Sequence, residues 1–331
     1  MRILFAGTPS VAAASLRRIA AHPLTSVVGV VTQPPRRAGR KRAMTRSPVH
    51  EEADALGLTV LTPERAHDVA FLDTLRSDAP PDLCVTVAFG QILPRAFLEI
   101  PRIGTVNIHP SLLPDLRGAA PVQRALERGD ERVGVSVLTT VRELDAGPIL
   151  AQRAVAVEAE EQAPALLSRL MDAGTSLLLD ELVPSLLAGG ADGAAALAAL
   201  GTPQDAPRAT HAALIEKREG ALDPRVMDAD RIHRMVRAFA EWPRCSLEAA
   251  VLPPLGDVSM KILKSRLVPP GSGVAEGRGG EEAGGAAVWE HGGRVFLRCA
   301  GGSALELLEV QPATKRAMDA RSWWNGAQRL E

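Results

Sequence analysis

Three cysteines, no long apolar run and almost no net charge each remove a class of protein from consideration. Cys84, Cys245 and Cys299 are an odd number without CxxC spacing, which argues against a disulfide framework and against a zinc site. Buried thiols are the expectation. The opening MRILFAGTPS is apolar for only a few residues before Gly7 and Pro9, too short for a signal-peptide core or a spanning helix, so a cytoplasmic protein without a membrane role is expected. A net charge of -1 excludes a uniformly basic protein. GxGxxG and GxSxG are both missing, which weakens a dinucleotide reading and leaves no serine elbow. What is present is 331 residues, 46% apolar and 23% charged, room for two soluble globular domains.

The chain opens as strand, turn, helix: RILFAG is a short apolar run, Thr8 suits a helix cap and Pro9 a first helical turn. Gly7, Thr8 and Pro9 either punctuate that turn or line a ligand. A second strand-like run, SVVGVVT, follows at 26–32, and the alternation predicts an α/β domain with a doubly wound, mostly parallel sheet. Residues 33–47 form a long loop by composition, with Arg36, Arg37, Arg40, Lys41, Arg42 and Arg46 and no acid. Six like charges repel one another, so an anionic partner would relieve a cost that a merely solvated loop keeps. Helices are expected over 48–56, 66–76, 95–99, 120–127 and 163–187, and strands over 82–90, 133–138 and 149–157.

Residues 1–189 thus read as a first domain and 190–207, rich in Ala, Gly and Pro, as a linker. From 208 to 331 one helix, 229–239, is followed by short runs between glycine- and proline-rich turns, the pattern of a small barrel of the oligonucleotide-binding (OB) type. Trp242, Trp289, Trp323 and Trp324 all lie there and are expected to fill its core rather than stack on bases.

Chemistry concentrates at TVNIHPSLLPDLRG, residues 105–118. Asn107 and His109 are two apart in a strand-like run and therefore share a face, beside the SLLP turn of Ser111 to Pro114. Asp145 precedes a Gly-Pro turn after a later strand, and open parallel sheets gather such residues at strand ends. An Asn amide can donate to a developing oxyanion, a His can pass a proton near neutral pH, and an Asp can hold the His or take up a proton. Lacking a serine elbow or a suitably framed cysteine, the set fits acyl-type transfer in which the attacking group comes from a substrate.

NIHPSLLPDLRGAAPVQRAL followed by LDAGPIL resembles the signature of the folate-dependent formyltransferase family. AGTPSVAAASL, VAFGQILP and TQPPRRAGRKRAMTRSPV resemble segments of its branch that acts on methionyl-tRNA, as do THAALIEKREGALD, RAFAEWPR and LLEVQPATKRAM beyond the linker. The resemblance implies a formyltransferase fold with an OB-like, tRNA-binding β-barrel, a 10-formyltetrahydrofolate donor, an initiator methionyl-tRNA acceptor, no metal and a monomer. It implies that Asn107 and His109 stabilise and protonate a tetrahedral intermediate while Asp145 orients His109 and assists proton removal. It further implies folate contacts from Ser111, Leu112, Leu113 and Pro114, a pterin pocket lined by Phe89 and Gly90, and tRNA contacts from Arg40, Lys41 and Arg42. Two positions depart from the family pattern: Lys41 stands where glycine is common in the basic loop, and Phe89 where tyrosine is usual. A formyltransferase for a small amine, a formyl-donor hydrolase and an inert RNA-binding protein on the same scaffold are the alternatives. The first two leave the basic loop and second domain without a task, and the last has no use for Asn107, His109 and Asp145 together.

Overall fold

Strand Leu83–Val87 is apolar at four of five positions and buried at all of them, the pattern of a strand covered on both faces. In the computed structural model, which describes residues 1–38, 43–76, 80–189, 193–248, 259–269 and 288–327, it lies at the centre of a seven-stranded sheet. Parallel partners flank it, Arg2–Gly7 on one side and Gly104–His109 on the other. Ser26–Val31 and Val60–Leu61 extend the parallel part beyond Arg2–Gly7. On the far side Arg132–Thr139 and Ile149–Ala156 add two antiparallel strands. The expected mostly parallel sheet is present, and the C-terminal ends of its central strands lie along one edge.

Helix Ser10–Ala21 buries Ala12, Leu16 and Ile19, one face at helical spacing. Its N-cap is Pro9, without a side-chain cap, so Thr8 is not the cap that its position suggests. Helix Pro48–Ala55 is capped as local chemistry dictates, Ser47 accepting from the His50 N–H at 3.0 Å. The long segment expected as one helix runs as Ala163–Ser176, a widened turn Leu177–Leu182, and Val183–Ala188. Pro184 has no N–H and its ring would meet the carbonyl of Asp180, four residues back, which accounts for the widening. A core of Leu4, Val31, Phe71, Cys84, Phe89 and Phe97 packs on the sheet.

Part of the basic loop is not irregular: Arg36–Ala38 and Ala43–Thr45 pair antiparallel. Arg46 is also not unpaired, since its guanidinium meets Asp54 at 2.5 Å. Arg40, Lys41 and Arg42 lie outside the described residues.

The chain divides into two units, the first made of Met1–Pro121, Arg132–Ala156 and Leu167–Ala212, the second of Val122–Glu131, Val157–Leu166 and Ala213–Glu331. Within the stretch expected to be a linker, helix Ala194–Leu200 buries Leu197 and belongs to the first unit. Alanine-rich composition reads as a spacer, yet alanine is the strongest helix former, and here a leucine gives that helix a buried side.

The second unit is mainly β. Its described strands run in spatial order Ala221–Leu222, Cys245–Leu247, Met260–Leu267, Ala304–Pro312, Arg294–Arg298 and Val288–His291, with Met318–Asp319 beside Ala304–Pro312. Helix Ala229–Ala238 starts on Asp228, which accepts from the Arg231 N–H at 2.8 Å, and turns Ile232, Met235 and Val236 inward. The tryptophans are not the core. Trp242 is 52% exposed and the other three are half-buried, while Phe239, Ile262, Phe296 and Leu305 fill the interior. Indole is too large and too polar at Nε1 to vanish easily into a small core, and the branched and phenyl side chains take that place.

Candidate active site

Strand register brings Thr86 and Asn107 side by side. The Thr86 hydroxyl lies 2.9 Å from Asn107 Oδ1, with the Val106 carbonyl also in reach at 3.1 Å. Asp145 Oδ1, an acceptor only, lies a long 3.4 Å from the other end of the amide and assigns that end as Nδ2, which leaves Oδ1 to accept from the Thr86 hydroxyl. One Nδ2 hydrogen then remains for a substrate oxygen.

His109, two residues on, is 4% exposed. Its Nε2 lies 3.0 Å from the Leu116 carbonyl, which can only accept, so Nε2 carries a hydrogen and Nδ1 is the nitrogen left to exchange protons. Nδ1 faces Asp145 Oδ2 at 3.7 Å, longer than a hydrogen bond and within ion-pair range, a separation common before substrate tightens a site. Asp145 Oδ2 is held in turn by the Gly118 N–H at 2.9 Å. Asn107, His109 and Asp145, predicted from three positions in the chain, therefore meet at the end of strand Gly104–His109.

The backbone around them is unusual. Ala88, Leu116 and Asp145 have φ of 45°, 57° and 51°, left-handed values that cost non-glycine residues about 1–3 kcal/mol each. Gly118, at φ 115°, has no room for a side chain, because a Cβ would sit 2.7 Å from His211 Cε1 and 2.8 Å from the Ala212 carbonyl oxygen. A Cβ on Gly147, two residues after Asp145, would fall 1.8 Å from the Thr139 carbonyl oxygen. Close backbone approach at both loops explains glycine there better than flexibility does.

In the Ser111–Pro114 turn the side chains divide. Ser111 and Leu113 are buried, and the Ser111 hydroxyl donates to the Asp115 carbonyl at 2.7 Å, so these two shape the turn. Leu112 and Pro114 are half-buried, and Leu112 packs its side chain over the Gly134 backbone. Ser136 ties the turn down: its hydroxyl donates to the Ser111 carbonyl at 2.6 Å and accepts from the Leu113 N–H at 3.1 Å. Gln152 donates to the Leu113 carbonyl at 2.8 Å. Phe89 is 4% exposed and part of the core, so its ring is a packing group and the exposed Ala88 and Gly90 backbone is what that loop offers a ligand. The Phe89 carbonyl accepts from Thr8 Oγ1 at 2.8 Å and Gln33 Nε2 at 3.1 Å, which gives the Gly-Thr-Pro triplet a loop-anchoring task.

Thr86, Ser136 and Gln152 escaped the sequence reading as site residues, whereas Thr8, open there between turn punctuation and ligand lining, anchors the Phe89 loop. Thr86 had a signal, being the lone hydroxyl of an otherwise apolar strand, and Ser136 a weaker one, a hydroxyl set between Val135 and Val137. The thiols are buried as expected; burial pushes Cys245 and Cys299 up to about 12 and raises Cys84 well above its ordinary value. At neutral pH none of them is a thiolate nucleophile. Among the described residues no cluster of His, Cys, Asp and Glu could hold a metal ion, and no helix is long and apolar enough to cross a membrane.

An open, mostly parallel sheet thus carries an amide, a buried imidazole and a loop carboxylate close together, an arrangement with the groups that acyl-type transfer requires. Residues 1–182 match the family model described as formyl transferase, and residues 214–328 match that of the formyl transferase C-terminal domain. A methionyl-tRNA formyltransferase of Herpetosiphon aurantiacus is 37% identical over 100% of this chain and 99% of its own length. Those of Roseiflexus sp. and Halorhodospira halophila are each 39% identical over 98% of this chain, covering 92% and 96% of theirs. The chain belongs to the methionyl-tRNA formyltransferase family. Among solved structures, WlaRD, a sugar 3N-formyl transferase, shares the fold at TM-score 0.61 and 16% identity over 96% of this chain and 99% of its own. HypX of Aquifex aeolicus with tetrahydrofolic acid does so at TM-score 0.61 and 16% identity, over 99% of this chain and 48% of its own.

Proposed function

We propose that this chain transfers the formyl group of 10-formyltetrahydrofolate to the free amino group of initiator methionyl-tRNA, acting in the cytoplasm as a monomer. The observation that carries the reading is the Asn107 amide, oriented by Thr86 and Asp145 beside a buried His109. Full-length likeness to methionyl-tRNA formyltransferases supports the choice of acceptor.

The donor supplies a formyl carbon bonded to nitrogen. As the amine lone pair adds to that carbon, the carbonyl electrons move onto oxygen, where the remaining Asn107 Nδ2 hydrogen stabilises the charge. Asp145, 3.7 Å from His109 Nδ1, takes the proton shed by the attacking nitrogen and keeps the imidazole in place. His109 Nδ1, which carries no hydrogen at the outset, receives that proton from Asp145 and passes it to the departing nitrogen, so the products are a formamide and tetrahydrofolate. Leu112, Pro114 and the backbone of Ala88–Gly90 fit the donor: an apolar turn beside exposed amides suits a flat heterocycle with polar edges. We assign transfer to the unit containing Met1–Pro121 and tRNA contact to Arg40, Lys41 and Arg42 together with the mainly-β unit.

Incubation with 10-formyltetrahydrofolate and charged initiator tRNA should yield formyl-methionyl-tRNA. No product from a donor shown to be active would overturn the reading. Replacing Arg40, Lys41 and Arg42 with alanine should weaken tRNA binding and lower its salt slope by roughly one for each phosphate that is no longer neutralised.

A further inference from the structure

Residues beyond helix Ala194–Leu200 come back to the site. Thr202 bridges Ile149, and two residues later Gln204 Nε2 donates to the carbonyl of Asp145 at 2.8 Å and of Gly147 at 2.7 Å. Its Oε1 accepts from Arg117 Nε at 3.0 Å and Nη2 at 2.6 Å. Arg117 adjoins Gly118, whose N–H holds the Asp145 carboxylate at 2.9 Å. Both loops that fix Asp145 are thus joined through one amide side chain.

We propose that Gln204 and Arg117 form a positioning clamp that holds Asp145 at its left-handed backbone and keeps its carboxylate on His109. The inference deepens the proposed function and rests on it for the catalytic part. Asp145 has φ 51°, a conformation its neighbours must impose. Two donors aimed at two carbonyls of that loop impose it, and only an amide of this reach offers two hydrogens on one atom and an acceptor for Arg117 on the other. A glutamate at 204 has nearly the same shape but would set a carboxylate against two carbonyl oxygens. Carboxylate placement on His109 matters in the chemical step, so loosening it lowers turnover more than substrate affinity.

Gln204→Ala and Gln204→Glu should each lower kcat about ten- to a hundredfold, as small misplacements of reacting groups do, with KM for both substrates within about twofold. Arg117→Ala combined with Gln204→Ala should cost no more than the worse single change, since the two act through one connection. Exchange of the Gly118 amide hydrogen should speed up in either Gln204 variant. Unchanged kcat, a loss confined to KM, or unchanged Gly118 exchange would overturn the clamp. Should Gln204→Ala fail to fold, the near-isosteric Gln204→Glu carries the same measurements. Were the wild-type chain inactive in formyl transfer, the proposed function would fall, while Gly118 exchange would still decide whether the clamp holds the loop.

Discussion

Thr86→Val removes one hydroxyl and keeps the size and β-branching that strand Leu83–Val87 needs. Thr86 is 5% exposed, so no water replaces it readily. What disappears is the donor 2.9 Å from Asn107 Oδ1, and the amide is left with its long 3.4 Å approach to Asp145. A neutral hydrogen bond contributes about 0.5–1.5 kcal/mol, and the Asp145 carboxylate still repels a flipped amide oxygen. With ~1.4 kcal/mol per tenfold in rate, the single-turnover rate of formyl transfer should fall about two- to tenfold. Asn107→Ala, which deletes the oxyanion donor itself, should cost ~10² to 10³. Single-turnover formation of formyl-methionyl-tRNA, measured beside thermal melting, separates orientation from folding. A Thr86→Val rate equal to wild type at an unchanged melting temperature would refute the claim that this hydroxyl orients the amide.

His109→Ala should reduce turnover by orders of magnitude while equilibrium titration shows nearly unchanged tetrahydrofolate affinity; a full-rate variant would remove His109 from the chemistry. Gly147→Ala must move the Asp145 loop, since its Cβ would lie 1.8 Å from a carbonyl oxygen, so both melting temperature and kcat should drop, and a variant normal in both would contradict the geometry. His233, buried between Ser265 and the Ala159 carbonyl, is held below its ordinary 6.5 by desolvation and by Arg237, against Glu160 and Asp230. The unfolded chain therefore takes up that proton first, and stability present above about pH 6.5 is lost as pH falls through it. Denaturation midpoints should decline on acidification, less steeply in His233→Gln; parallel curves for the two proteins would assign the acid sensitivity elsewhere.

Local periodicity made the strand at 105–109 readable, along with the shared face of Asn107 and His109, because both follow from a two-residue repeat. Helix Pro48–Ala55 was equally legible, its cap and first-turn proline lying within three residues of each other. The division of the SLLP turn was not legible, since which of its side chains faces the core depends on Ser136 and Gln152 from other strands. The tryptophans misled for a related reason: hydrophobicity predicts what gains from burial, whereas a small sheet's packing decides what can be buried.

Chemical identity at the site was thus a property of the sequence by itself: an amide, an imidazole and a carboxylate, placed after strands that any reading of alternation finds. Their working arrangement was a tertiary decision. Thr86 meets Asn107 only through parallel register, and Gln204 reaches the Asp145 loop from 59 residues away, out of a stretch whose composition suggests nothing but a spacer. Composition and period act over a few residues, while hydrogen-bond donors are aimed by neighbours that the chain brings together only on folding.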